Sequence, residues 1–170
     1  MTEASREVGV VVRRRSIDNP WIEELWSPAL ILEQVPATAP WTVLSSEADA
    51  TTYYAGAASI ELFSSETANY RDNLADGTPR IWVALRRQDG GAELELTRVT
   101  ADPTEGEALF ESGCEVIGTV PMPAEIAGWI AAFVDRFHVE RVFHKRKRDR
   151  ARGDRPRVPG GESDEGAGRP

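Results

Sequence analysis

The chain has 170 residues, a net charge of −8, 41% hydrophobic residues and one cysteine, Cys114, which suits one self-sufficient domain plus an appendage. A lone cysteine excludes an intramolecular disulfide. The polar start MTEASREVG lacks a signal peptide's apolar core, and no apolar run approaches the ~20 residues of a membrane-spanning helix, so the expectation is a cytoplasmic protein with no membrane partner.

The charge is unevenly placed. From Arg141 to Pro170 the chain carries ten basic and five acidic residues, whereas the preceding 140 carry ten basic and 23 acidic. An acidic body repels polyanions at long range, so nucleic acid is not expected as its partner; the basic segment has the opposite tendency.

In chain order, Val8–Arg14 is rich in β-branched residues and reads as a strand. The loop RSIDNP follows, with Asp18, Asn19 and Pro20 supplying turn chemistry. In WSPALILEQ an extended chain aligns Trp26, Pro28, Leu30 and Leu32 on one face. Pro28 has no N–H to give a ladder, so it belongs at a strand edge or bulge. WTVLS is a short strand, and TTYY and ASIELF flank Ala55-Gly56, which reads as a tight hairpin turn. SSETANYRDNLADG predicts a helix capped by Ser64 or Ser65 and stopped at Gly77.

RIWVALRR and AELELTRV alternate at period two around Asp89-Gly90-Gly91, the clearest hairpin in the chain. DPTEGEALFESG predicts a second helix with Asp102 as cap, Pro103 at its first position, Glu105 completing a capping box and Gly113 as stop. CEVIGTV is a further strand. After Pro121 and Pro123, the recurrence of Ile126, Trp129, Ile130, Phe133 and Phe137 at three- and four-residue spacing marks an amphipathic helix lying on a sheet. Beyond Phe143 large apolar residues nearly vanish, which predicts a disordered basic tail. The expected architecture is α+β: a mainly antiparallel sheet or partly closed barrel with about three helices over residues 1–143, and a tail over 144–170.

Chemistry-bearing motifs are sparse. Gly90-Gly91 lies in a hairpin rather than between a strand and a helix, so it forms no phosphate cradle. Cys114, His138 and His144 are the only soft or borderline metal ligands, and they lack the short paired spacing of a zinc site. Cys114 opens a strand, where a structural thiol is common, and His138 near a helix end reads as a dipole partner. No catalytic, cofactor-binding or metal-binding residues are expected, and no cofactor. Two features point to binding instead. Pairing of the first two strands brings Arg13, Arg14 and Arg15 toward Trp21, and Trp with Arg is the composition of interface hot spots; the competing reading packs Trp26 in the core and uses Trp21 to staple the loop. The second feature is the cationic arm, with Lys145, Arg146, Lys147 and Arg148 at its centre, although no aromatic follows Phe143 for base stacking.

The joint pattern VGVVVRRR…NPW…W.P, APWTVL, ELFSSETANYRDNL, IWVALRR, VPMP and FVDRFHVERVFHKRKRD, covering Val8 to Asp149, resembles a bacterial family of unknown function often labelled molybdopterin-guanine dinucleotide biosynthesis protein A. Members tend to be encoded near molybdenum-dependent formate dehydrogenases and their assembly chaperones. The resemblance implies an accessory role in maturing such an enzyme, with a formate dehydrogenase subunit or its assembly machinery as partner. The label implies a nucleotidyltransferase, which needs a glycine-rich loop after the first strand; RRRSIDNPW holds no glycine. A nucleic-acid-binding regulator using the tail is a third reading.

Overall fold

The computed structural model describes residues 3–89, 91 and 93–139; the predicted tail lies outside them. Strand β1 (Glu3–Ser16) is the hub of a four-stranded antiparallel sheet in the order β2-β1-β4-β3, with β2 spanning Glu24–Leu32, β3 Thr42–Ser46 and β4 Ala50–Phe63. A second antiparallel sheet has the order β6-β5-β7, built from β5 (Arg80–Arg87), β6 (Leu94–Thr100) and β7 (Val116–Pro121). Three α-helices complete the described residues: α1 (Thr67–Ala75), α2 (Pro103–Ala108) and α3 (Ala124–Phe137). The α+β expectation holds.

The two sheets meet along their edges. β2 runs beside β7, and the second half of β4 beside β6. A Cβ built on Gly118 of β7 would lie 2.9 Å from Pro28 Cδ, so the β2/β7 seam closes only because position 118 has no side chain. Between the sheets, Val10, Val12, Ile60, Leu62, Ile81 and Val83 are essentially inaccessible. Each such side chain contributes about 1.5–3 kcal/mol by leaving water. Helix α3 covers this core with Ile126, Ile130 and Phe133, as its spacing predicts, and with Val134, which the stripe did not include, while Trp129 and Phe137 pack at its margin.

Two bulges correct the sequence reading. Ala55-Gly56 is not a hairpin turn: β4 passes through it as one 14-residue strand. Val10 faces Gly56 and Val11 faces Tyr54, so Ala55 is an extra residue, and Gly56 takes φ 127° to accommodate it. The second bulge is at Ala29. Val11 faces Leu30 while Val12 faces Pro28, which exchanges the strand's faces at that point. Trp26 and Pro28 therefore share the Val12 face, but Leu30 swings outward to 45% exposure and Ile31 is buried instead. Pro28 sits at the bulge, where its missing N–H is tolerated.

The helix punctuation is part right. Asp102 caps α2, accepting from the N–H groups of Thr104 and Glu105, with Pro103 in the first turn. Glu105 does not close a capping box. Its carboxylate accepts from Arg98 Nε at 2.6 Å and Thr100 Oγ1 at 2.7 Å, and Thr100 Oγ1 accepts from the Asp102 N–H. The N-cap position of α1 falls on Glu66 rather than on Ser64 or Ser65, and a 3-10 turn over Ser64–Glu66 leads into the helix. Asn73 pins α1 to the second sheet, donating from Nδ2 to the carbonyls of Arg80 and Ala101 and accepting from the Arg80 N–H.

Candidate functional site: the distal end of the first sheet

The β1–β2 connection and the β3–β4 turn lie side by side at one end of the first sheet. The Ser16 N–H donates to the Asp49 carbonyl at 2.8 Å, tying the first loop to the second turn, and Ile17 N–H donates to Glu23 O across the neck of the loop. Within it, Asn19 Oδ1 accepts the Trp21 N–H at 2.9 Å, a local turn of the kind Asx-Pro sequences favour. The bond orders the backbone and leaves the indole outside: Trp21 is 89% exposed, with Ile22 and Leu25 about half exposed beside it in sequence. Trp21 does not staple the loop.

The three arginines do not act together. Side chains alternate across a strand, so Arg14 lies on one face and Arg13 and Arg15 on the other. Arg14 faces Trp26 in register, and its guanidinium carbon stands 5.7 Å from the Trp26 ring and 5.5 Å from that of Tyr53. Glu24 approaches its far side at 3.6 Å. Trp26, Tyr53 and Trp41 pack mutually, with centroid separations of 5.6–6.2 Å, as a partly buried aromatic cap on the core. The arginine predicted to approach Trp21 is therefore stacked on Trp26 and Tyr53, where such a contact contributes about 0.5–2 kcal/mol. Arg13 pairs with Glu47 at 3.1 Å, bracing β1 against the β3–β4 turn. Arg15 is exposed and faces Leu25 in register.

Sequence reasoning missed Trp41 and Tyr53. Trp41 adopts φ 69°, a left-handed conformation in which a bulky residue is an outlier. Its N–H donates to the Tyr54 carbonyl, and ring packing holds it there. Among the described residues, the Trp26 Nε1 and Arg13 Nε donors are buried without an acceptor, so the cap is held by ring packing and charge rather than by indole hydrogen bonding. Pro40 directly before a tryptophan is the only local signal for this turn.

Other predicted positions are more ordinary. Cys114 is half-buried and accepts from Ser112 Oγ at 3.2 Å. His138 ends α3, its Nε2 accepting from Arg71 at 2.8 Å and its Nδ1 standing 3.1 Å from Thr67 Oγ1, which links α3 to α1. Lys145, Arg146, Lys147 and Arg148 lie outside the described residues. Among those described, no group of three His, Cys, Asp or Glu residues is placed to hold a metal ion, and no helix is long and apolar enough to cross a membrane. A cleft of about 520 Å³ opens between α1 and β5, lined by Asp72, Asp76, Arg80, Trp82 and Pro103; Arg80 Nε is engaged by Thr119 Oγ1 at 3.1 Å.

The family model described as a protein of unknown function, DUF3305, matches residues 7–147. No curated protein and no solved structure matches the chain.

Proposed function

We propose, for a chain that belongs to the DUF3305 family, a non-catalytic accessory role in which the distal end of the first sheet captures a partner protein. The observation that carries this reading is the presentation of Trp21. A side chain that loses most by staying in water is held 89% exposed on a loop closed across its own neck and tied at its base to the β3–β4 turn, with Ile22 and Leu25 alongside in sequence. Exposed indole on a braced hairpin can be desolvated at little ordering cost, which is the property of an interface anchor. Arg14 is taken up by Trp26 and Tyr53; Arg15, exposed and facing Leu25 across β1 and β2, offers a charge at the same end of the sheet.

The partner is a subunit of a molybdenum-dependent formate dehydrogenase or the machinery that loads its cofactor. This choice rests on the motif resemblance quoted above. The binding reading is favoured over nucleotidyl transfer because β1 turns back through RSIDNPWIE into an antiparallel neighbour. A phosphate cradle instead needs backbone N–H groups converging at a helix start. Affinity capture of the tagged chain from its host, followed by mass spectrometry, tests the proposal. Recovery of a formate dehydrogenase component by the wild type, and its loss with Trp21→Ser and Ile22→Ser together, is the expected result. Equal recovery by the folded double variant would remove the surface assignment, and absence of any molybdenum-enzyme component would remove the partner.

A further inference from the structure

The charges around Trp21 limit what a partner can present to it. Ile17 and Glu23 close the neck of the β1–β2 loop, so Trp21 and Ile22 sit at its tip together with Asp18. A chain advances at most about 3.6 Å per residue, which keeps the Glu23 backbone within roughly 7 Å of Trp21 and that of Asp18 within roughly 11 Å. Glu24 stands opposite Ser16 at the base of the loop. The Asp49 carbonyl accepts the Ser16 N–H there, and Glu47 precedes it in the β3–β4 turn. All five of these acidic residues are exposed, and they face the three arginines that end β1. The arginines do not cancel them. Arg13 is paired with Glu47, and Arg14 with Glu24. Asp18, Glu23 and Asp49 form no ion pair among the described residues, and Arg15 is the one cation left beside them. The charge left over at this end is negative.

We infer that the partner meets this end with an apolar recess rimmed by lysine or arginine side chains. The inference rests on the docking role proposed above and adds the chemistry of the surface that receives Trp21. Two properties of the site select a cation. Asp18 and Glu23 act on an approaching charge over about one Debye length, ~8 Å at physiological salt. The exposed indole of Trp21 is, of the aromatic side chains, the best acceptor for a guanidinium or ammonium group. Trp21 and Ile22 enter the recess as the apolar anchor, while the carboxylates orient the partner and reject others. An acidic rim would oppose like charges, and an uncharged one would leave carboxylates partly desolvated without compensation. Rim charges act chiefly on the association rate, so association is salt-sensitive while the indole governs release.

Titration of the full chain with two amphipathic helical peptides tests this. Both peptides present the same leucine face; one carries lysine at its remaining positions and the other glutamate. The Nε1–H resonance of Trp21, assigned by its absence in Trp21→Phe, is followed by NMR. The lysine peptide should shift it saturably at low salt, with affinity falling toward roughly 0.5 M salt, where the Debye length is about 4 Å. The glutamate peptide should leave it in place. Asp18→Lys with Glu23→Lys should weaken the lysine peptide roughly tenfold or more. Glu107→Lys with Asp135→Lys, on α2 and α3, changes the net charge equally and should keep most of the affinity. Urea unfolding confirms that both double variants stay folded. Equal losses in the two, a shift with the glutamate peptide, or no shift with either peptide would each overturn the inference. The docking role fails separately. Capture of a formate dehydrogenase component that needs Trp21 but survives Asp18→Lys with Glu23→Lys would overturn the cationic rim alone. Capture indifferent to Trp21 would remove the docking role, and the rim with it.

Discussion

Gly106→Ala should destabilise this protein although it replaces glycine by alanine inside a helix. In an ordinary exposed turn the change gains about 1 kcal/mol of helix propensity. Here α2 lies flat on the indole of Trp82 from β5: a Cβ at 106 would stand 2.3–2.5 Å from three ring atoms, against the 3.4 Å at which ordinary contact begins. The ring or the helix must retreat by about an ångström. α2 is held on one side by the Asp102 cap and on the other by the Glu105 bonds to Arg98 and Thr100, so it cannot slide freely. Overpacking of this kind costs about 1–3 kcal/mol; the depth of overlap puts it at the upper end, leaving a net loss of about 2 kcal/mol. For a body of this size that lowers the Tm by roughly 5–10 °C. Urea unfolding followed by tryptophan fluorescence measures it. Trp82→Ala is destabilising alone, yet in its background Gly106→Ala should become neutral or favourable. If Gly106→Ala raised stability in the wild-type chain, the close approach of α2 to Trp82 would be wrong.

Two further predictions concern buried polar groups. Asn73→Ala strands the Arg80 N–H and the carbonyls of Arg80 and Ala101, and should cost about 2–4 kcal/mol by urea titration, whereas a solvated surface asparagine would cost almost nothing. Tyr70, on the buried side of α1, has its pKa pushed up to about 12 mainly by burial; the Phe63 N–H that its hydroxyl accepts works in the opposite direction, and nearby Asp102, Glu66 and Glu105 add to the rise. Its folded value exceeds the unfolded value near 10, so its contribution is complete below pH 10 and is lost as pH rises toward 12. Stability measured from pH 9 to 11.5 should fall more steeply in the wild type than in Tyr70→Phe; parallel curves would refute the assignment.

The legible parts of the fold were those written in neighbouring residues. The hairpin around Asp89, the Asp102-Pro103 helix start and the Ile126–Phe137 stripe depend on contacts a few positions apart, and each stands where its pattern placed it. The errors came where a distant strand decides. Ala55-Gly56 has the composition of a turn, but β1 is long enough to pair along the whole of β4, and the glycine is spent on a bulge instead. At Ala29 a single extra residue exchanged Leu30 for Ile31 in the core, which no reading of WSPALIL in isolation reveals.

The site followed the same division. Trp21 and the arginines were visible as residue types, but their partners were not. Trp26 draws Arg14 because they face each other across β1 and β2, while Tyr53 and Trp41 arrive from β4 and the turn before β3. Period-two alternation alone separates Arg14 from Arg13 and Arg15. That consequence was readable once the strand was extended through Ser16.

Direct titration tests the central claim, that the distal end of the first sheet binds a protein partner through Trp21. The purified full chain is titrated against an isolated formate dehydrogenase subunit, and the affinity compared with that of Trp21→Ser. Loss of a hot-spot indole corresponds to about 2 kcal/mol or more, roughly thirtyfold in Kd. The account predicts saturable binding by the wild type and a weakening of at least that size in a variant with unchanged urea stability. Binding of equal strength by both proteins would contradict it.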